Sequence, residues 1–280
     1  MNTVNQTFNW SRFMAALRKE VVENKRAILF TLLGTYGLLT IIMILGNLSF
    51  GRTDVIHDTL DNYIPHKVVF GMFSFAIIIV ASLAFRKLTT KTGRAEMFTS
   101  PSSMPEKFLV NTLVYVIGYI VAFFICTQLA DLTRIAVLWF FKDESFTVPG
   151  PISFMNLIPD TVTGIGCIDE VARWMKPNMI VSLVFSAGLY LLGSVMWPRL
   201  SLLKTFAATY AVEFVIGIIG IIGISLGKGR LQPMAYWLMD HMQQVMTGMT
   251  ILYVLLAVVV WCLAWYLFKR KDVVSLKWWK

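Results

Sequence analysis

Six long apolar runs constrain this chain more than any other feature: Ala27–Leu45, Val68–Phe85, Phe108–Ala130, Met179–Trp197, Thr205–Leu226 and Met246–Phe268. A hydrocarbon core about 30 Å thick is crossed by roughly 20 apolar residues of helix, and each run meets or approaches that length. Backbone polar groups in lipid have no water to pair with, so only helices or closed barrels span it, and continuous apolar runs argue for helices. The expected fold is all-α: a polytopic membrane protein with six transmembrane helices. It forms one domain over residues 1–280, divided into an arm (1–26), a bundle (27–268) and a basic tail (269–280). Hydrophobic residues make up 57%, charged residues 15%, and the mean hydropathy is +0.67, so no soluble segment is long enough to hold its own core.

The formal net charge of +9 invites a nucleic-acid partner, but its distribution argues against one. With the N-terminus placed inside, seventeen lysines and arginines fall in the arm, the Arg86–Lys107 connection, the Pro198–Lys204 turn and the tail. Eight fall on the opposite side, counting Arg134 at the end of the third run. Such asymmetry orients helical membrane proteins with the positive segments in the cytoplasm, so both termini are expected there. The first apolar run follows 26 polar and amphipathic residues with no small-residue cleavage site after it, so no cleavable signal peptide is expected. Cys126 and Cys262 fall inside apolar runs and Cys167 stands alone in an outer loop, which leaves no disulfide between outer loops and no zinc spacing.

In the arm, Trp10, Phe13, Leu17 and Val21 recur at helical spacing with Met14 beside them, whereas Arg12, Lys19, Glu20 and Glu23 point elsewhere. That pattern predicts an amphipathic helix lying in the membrane interface. The loop 46–67 carries Asp54, His57, Asp58, Asp61 and His66, but no convergent ligand set, and reads as a solvated loop rather than a metal site. Asp131 and Arg134 are three apart at the end of the third run, so they can pair on one helix face. The chain there is either one overlong helix ending at Trp139–Phe141 or a bend along the surface. Prolines 149, 151, 159 and 177 argue against continuous helix in the loop 142–178, with a short amphipathic turn at Ile168–Met175. Pro233–Val245 reads as an outer-leaflet helix, and the tail's basic residues with Trp278–Trp279 suit an anionic inner leaflet.

Two further features carry chemistry. Glu213 is the one acidic residue deep in an apolar run, where a charge costs roughly 2.5–3.5 kcal/mol on insertion scales. It must meet the protein interior, a partner or water, or be protonated. Gly217, Gly220 and Gly223 follow it at three-residue spacing and permit close helix approach. The second feature is the connection Arg86–Lys107, with Arg86, Lys87, Lys91, Arg94 and Lys107 against Glu96 and Glu106. Thr89–Phe98 is helix-capable and stops at Ser100–Pro101, because a residue before proline leaves the α region. Ser103 or Met104 then caps the next helix, with Pro105 in its first turn and Glu106 near its positive end.

No phosphate loop, nucleophile elbow, HExxH or dinucleotide glycine pattern is present, and no catalytic, cofactor or metal residues are assigned. The layout of interfacial helix, six spans, structured loop between the second and third, and short outer helix before the sixth resembles the ABC-2-type permeases. These are the membrane subunits of ATP-binding-cassette exporters. The string MFTSPSSMPEKF, Met97–Phe108, is similar to the loop-to-third-span junction of their bacteroidete members. The resemblance implies a multi-pass protein of the bacterial cytoplasmic membrane, paired with a second permease copy or paralogue. A separate cytoplasmic ATPase would bind the ATP, so this chain would need no cofactor and be no enzyme itself. Arg86, Lys87, Lys91, Arg94, Glu96 and Phe98 would form the ATPase-coupling loop. A membrane scaffold or sensor is another class such a sequence admits, and so, less readily, is an intramembrane enzyme, which would need a converging polar set that Glu213 alone does not supply.

Overall fold

The structure, a computed structural model, describes residues 8–50, 63–140, 169–226 and 241–271. Every regular element among them is helical: α1 (Trp10–Glu23), α2 (Lys25–Phe50), α3 (Tyr63–Leu83), a 3-10 turn (Arg86–Thr89), α4 (Lys91–Thr99), α5 (Met104–Thr112), a π segment (Leu113–Ile117), α6 (Gly118–Phe140), α7 (Asp169–Met196), α8 (Ser201–Leu226) and α9 (Met242–Lys269). Five helical stretches are long and apolar enough to cross a membrane: Lys25–Gly46, Met104–Phe140, Pro177–Met196, Ser201–Gly223 and Gln243–Lys269. The apolar part of α3, Val68–Leu83, is shorter, so the second of the six expected spans does not reach that length.

The chain divides into two compact units. The first takes residues up to Val80 together with Pro101–Pro159. Its axis is the continuous run α5–π–α6, 37 residues or roughly 55 Å at helical rise, which exceeds a hydrocarbon core. The third run is thus one overlong helix rather than a bend. The Asp131–Arg134 pair sits within it at 2.7 Å, both side chains almost fully buried. α2 lies along α6, joined by Tyr36 and Thr133 hydroxyls at 2.8 Å. Phe73 of α3 packs on Phe123 and Phe124, with ring centroids 4.8 and 5.6 Å away.

At the start of that axis, Ser103 is the N-cap of α5, Pro105 lies in its first turn, and Glu106 Oε2 accepts the Ser103 amide at 2.8 Å. The other oxygen of Glu106 accepts the Asn9 amide at 2.7 Å and Arg12 Nη2 at 3.1 Å. Glu106 is fully buried, so these donors replace the water it has lost. Asn9 is itself the N-cap of α1, its side chain accepting from the Ser11 amide at 2.9 Å. Two residues of α1 depart from the expected polar face. Arg12 turns onto Glu106, and Glu20 is buried, accepting from the Asn24 amide group at 2.8 Å.

The second unit comprises Ala81–Ser100 and the chain from Asp160. α7 and α9 pack along each other because Gly188 leaves room for the indole of Trp261, whose Nε1 donates to the Val184 carbonyl at 3.2 Å. A Cβ at Gly188 would come within 2.6 Å of that nitrogen. Gly193 admits Thr205 in the same way, and this seats the first turns of α8 on α7. Beyond them α8 is exposed, and Gly217, Gly220 and Gly223 meet nothing within 4 Å. α7 starts at Asp169 and runs through Pro177, where a short amphipathic turn at Ile168–Met175 and a break in the helix at Pro177 were expected. Proline removes one backbone bond, here to the Arg173 carbonyl, but its φ is helical, and helices of membrane proteins accommodate the loss. The expected loop 46–67 is shortened at both ends, because α2 runs to Phe50 and α3 starts at Tyr63 and includes His66; Asp54, His57, Asp58, Asp61, Cys167 and Pro233–Asp240 lie outside the described residues.

Candidate functional site

The basic connection is built by local rules. Phe85 and Leu88 are buried and hold the 3-10 turn, whose Thr89 hydroxyl donates to the Pro198 carbonyl at 3.1 Å. Thr90 caps α4 by accepting the Gly93 amide at 3.1 Å. Residue 93 has to be glycine, because a Cβ there would overlap the Lys87 carbonyl. α4 ends at Thr99, with Ser100 extended ahead of Pro101.

This frame gives α4 two faces. Arg94 and Met97 are buried and Phe98 is half-buried, its ring 6.4 Å from Phe268 near the end of α9. Phe268 is fully buried, with Phe85 at 4.9 Å and Trp265 at 6.4 Å. Lys91, Thr92, Glu96 and Thr99 are exposed. Glu96 also reaches back to Lys87 at 4.0 Å, tying α4 to the 3-10 turn. Arg86 and Lys87 therefore lie in the 3-10 turn and Lys91, Arg94, Glu96 and Phe98 in α4, but Arg94 and Phe98 face the chain itself, leaving the polar side outward.

Arg94 brings a cost. It is 7% exposed, its Nε has no hydrogen-bond partner, and it lies close enough to Lys271 to act on it. Burial, reinforced by the Arg94 charge, holds the Lys271 amine below its ordinary pKa.

Glu213 lies on the exposed part of α8, one turn beyond Thr209. Tyr190 of α7 is buried beside Thr209 and within electrostatic reach of Glu213. The carboxylate thus has polar company on one side only. Asp131 and Arg134 belong to the first unit and are engaged with each other. Among the described residues no three His, Cys, Asp or Glu side chains gather as a metal site. The roles of Phe268, Pro198 and Tyr190 were not foreseen: each works through a contact distant in sequence, and none carries a local motif.

The long apolar helices are those of a multi-pass membrane protein. No protein family, curated protein or solved structure matches the chain.

Proposed function

We propose that the chain is the permease subunit of an ATP-driven exporter, moving a substrate across the cytoplasmic membrane on energy supplied by a separate ATPase. The observation that carries this reading is α4. It is a short helix stopped at both ends, held by Met97 and Phe98, with Lys91, Thr92 and Glu96 outward. A rigid helix of this kind transmits a push from a protein bound below it, whereas a loop that only set topology would need charge but no caps. The resemblance of the layout and of Met97–Phe108 to ABC-2-type permeases agrees with it.

In this reading α3 completes six spans, α1 lies in the inner interface with Trp10 and Met14 toward lipid, and both termini are cytoplasmic. The exposed face of α8, with Glu213 and its glycines, meets a second copy. The test is copurification of the ATPase with Lys91→Glu/Glu96→Lys at equal membrane abundance. Recovery is expected to fall about tenfold or more, since like charges brought face to face at an interface cost several kcal/mol. A matched pair on α1, Lys19→Glu/Glu23→Lys, is expected to leave it unchanged. Undiminished recovery with the α4 pair would remove the docking role.

A further inference from the structure

Where the 3-10 turn meets the turn between α7 and α8 lies a cavity of about 520 Å³. Arg86, Thr89, Arg199 and Ser201 contribute to its wall, with Leu83, Leu200 and Leu202 as apolar neighbours, and no acidic residue lines it. Neither guanidinium has an ion-pair partner among the described residues. Ser201 is 5% exposed and its Oγ is buried without a hydrogen-bond partner. The residue also opens α8, whose first intrahelical bond runs from the Lys204 amide to the Leu200 carbonyl at 3.0 Å. The amides of Ser201, Leu202 and Leu203 precede that bond and give the helix its positive end.

A buried hydroxyl without a partner, two arginines and a helix N-terminus all favour a compact anion with several acceptor oxygens. Carboxylates satisfy two donors at once, phosphates more. The leucines add what a free ion would not use. Leu200 in particular is held at φ 57°, a left-handed conformation costly for a branched residue. The cavity also lies where the apolar helix α7 has ended and α8 begins, so that charged and apolar side chains meet in one wall. We infer that it is a binding site for the phosphodiester headgroup of an anionic phospholipid, with the leucines against the glycerol and first methylenes. Arg86 and Arg199 take the phosphate oxygens and Ser201 donates the hydrogen bond it otherwise lacks.

The full-length chain, purified in a neutral detergent, is melted with phosphatidylglycerol, phosphatidylcholine or inorganic phosphate at matched phosphate concentration. Phosphatidylglycerol is expected to raise the melting midpoint saturably, and the other two are not. Arg86→Gln/Arg199→Gln is expected to weaken the phosphatidylglycerol response at least tenfold in half-saturating concentration, and Ser201→Ala roughly threefold. Lys25→Gln/Lys91→Gln removes the same charge elsewhere and should leave the response unchanged. Should the double arginine variant fail to fold, Ser201→Ala, which deletes one oxygen, decides alone. An unchanged response in the site variants, an equal loss in the lysine control, or equal protection by phosphatidylcholine overturns the site. Equal protection by inorganic phosphate overturns the lipid as its occupant.

Discussion

Arg12 Nη2 lies 3.1 Å from Glu106 Oε1 across 94 residues of sequence, and through this pair the first helix is fastened to the start of the longest one. Glu106 accepts three donors in full burial. Glu106→Ala removes the acceptor that Arg12 and two amides share, and is expected to cost about 2–4 kcal/mol, less than a fully buried ion pair because water reaches Arg12. Glu106→Gln retains one good acceptor and should cost about 1.5–3 kcal/mol. Thermal melting of the purified variants checks the order. A Glu106→Ala midpoint equal to that of the parent would show that the carboxylate does not hold α1 in place.

The α7–α8 packing rests on Gly193, not on the glycine triplet. Gly193→Ala drives a methyl group into Thr205 and is expected to destabilise by about 1–3 kcal/mol. Gly220→Ala has open space around it and is expected to change stability of the single subunit by no more than about 0.5 kcal/mol. Midpoints in detergent, with subunits kept dilute, separate the two.

Glu213 is expected to matter for assembly. Glu213→Gln keeps hydrogen-bonding capacity and should preserve self-association. Glu213→Leu removes it and should weaken the pairing by about 1–2 kcal/mol, close to tenfold in dissociation constant. Light scattering during size-exclusion chromatography gives the monomer fraction. Identical profiles for all three proteins would place Glu213 away from any subunit contact.

Lys271 gives a pH signature. Its pKa is lowered in the fold, so the unfolded chain binds more protons between that lowered value and the ordinary 10.5. Stability contributed by this site therefore rises with pH across the window, and at neutral pH the burial penalty is fully present. Lys271→Met is expected to melt higher than the parent at neutral pH, with the gap closing as pH approaches 10.5. A gap independent of pH would contradict the assignment.

Features set by neighbouring residues were legible in the sequence. The apolar runs, the stop at Ser100–Pro101, the cap at Ser103 with Glu106, and the three-residue spacing of Asp131 and Arg134 each follow from rules acting over one helical turn. Features set by packing were not. Nothing local distinguishes Gly193, which Thr205 fills, from Gly220, which nothing approaches. Pro177 broke the expected pattern because α7 continues through it, packed on α9 beyond. Phe98 read as an aromatic free for a partner, since Phe268, the ring it rests on, is 170 residues away.

The π segment at Leu113–Ile117 closes with the Gly118 amide bonded to the Leu113 carbonyl, five residues back. One residue is thereby accommodated in excess of the regular helical count, which offsets the angular phase of everything downstream by about 100°. The stretch holding Glu106 and the stretch holding Phe123, Cys126, Thr127 and Ala130 can consequently aim in directions that a single regular spiral would not allow. Winding the same residues as a regular spiral would swing the second set away from α2 while the first stayed on α1, whereas deleting one residue between Leu113 and Ile117 would remove the excess and leave both sets facing as they do. The segment acts as a rotary joint frozen at one setting, and what it fixes is the angle between its two ends rather than the number of residues that join them.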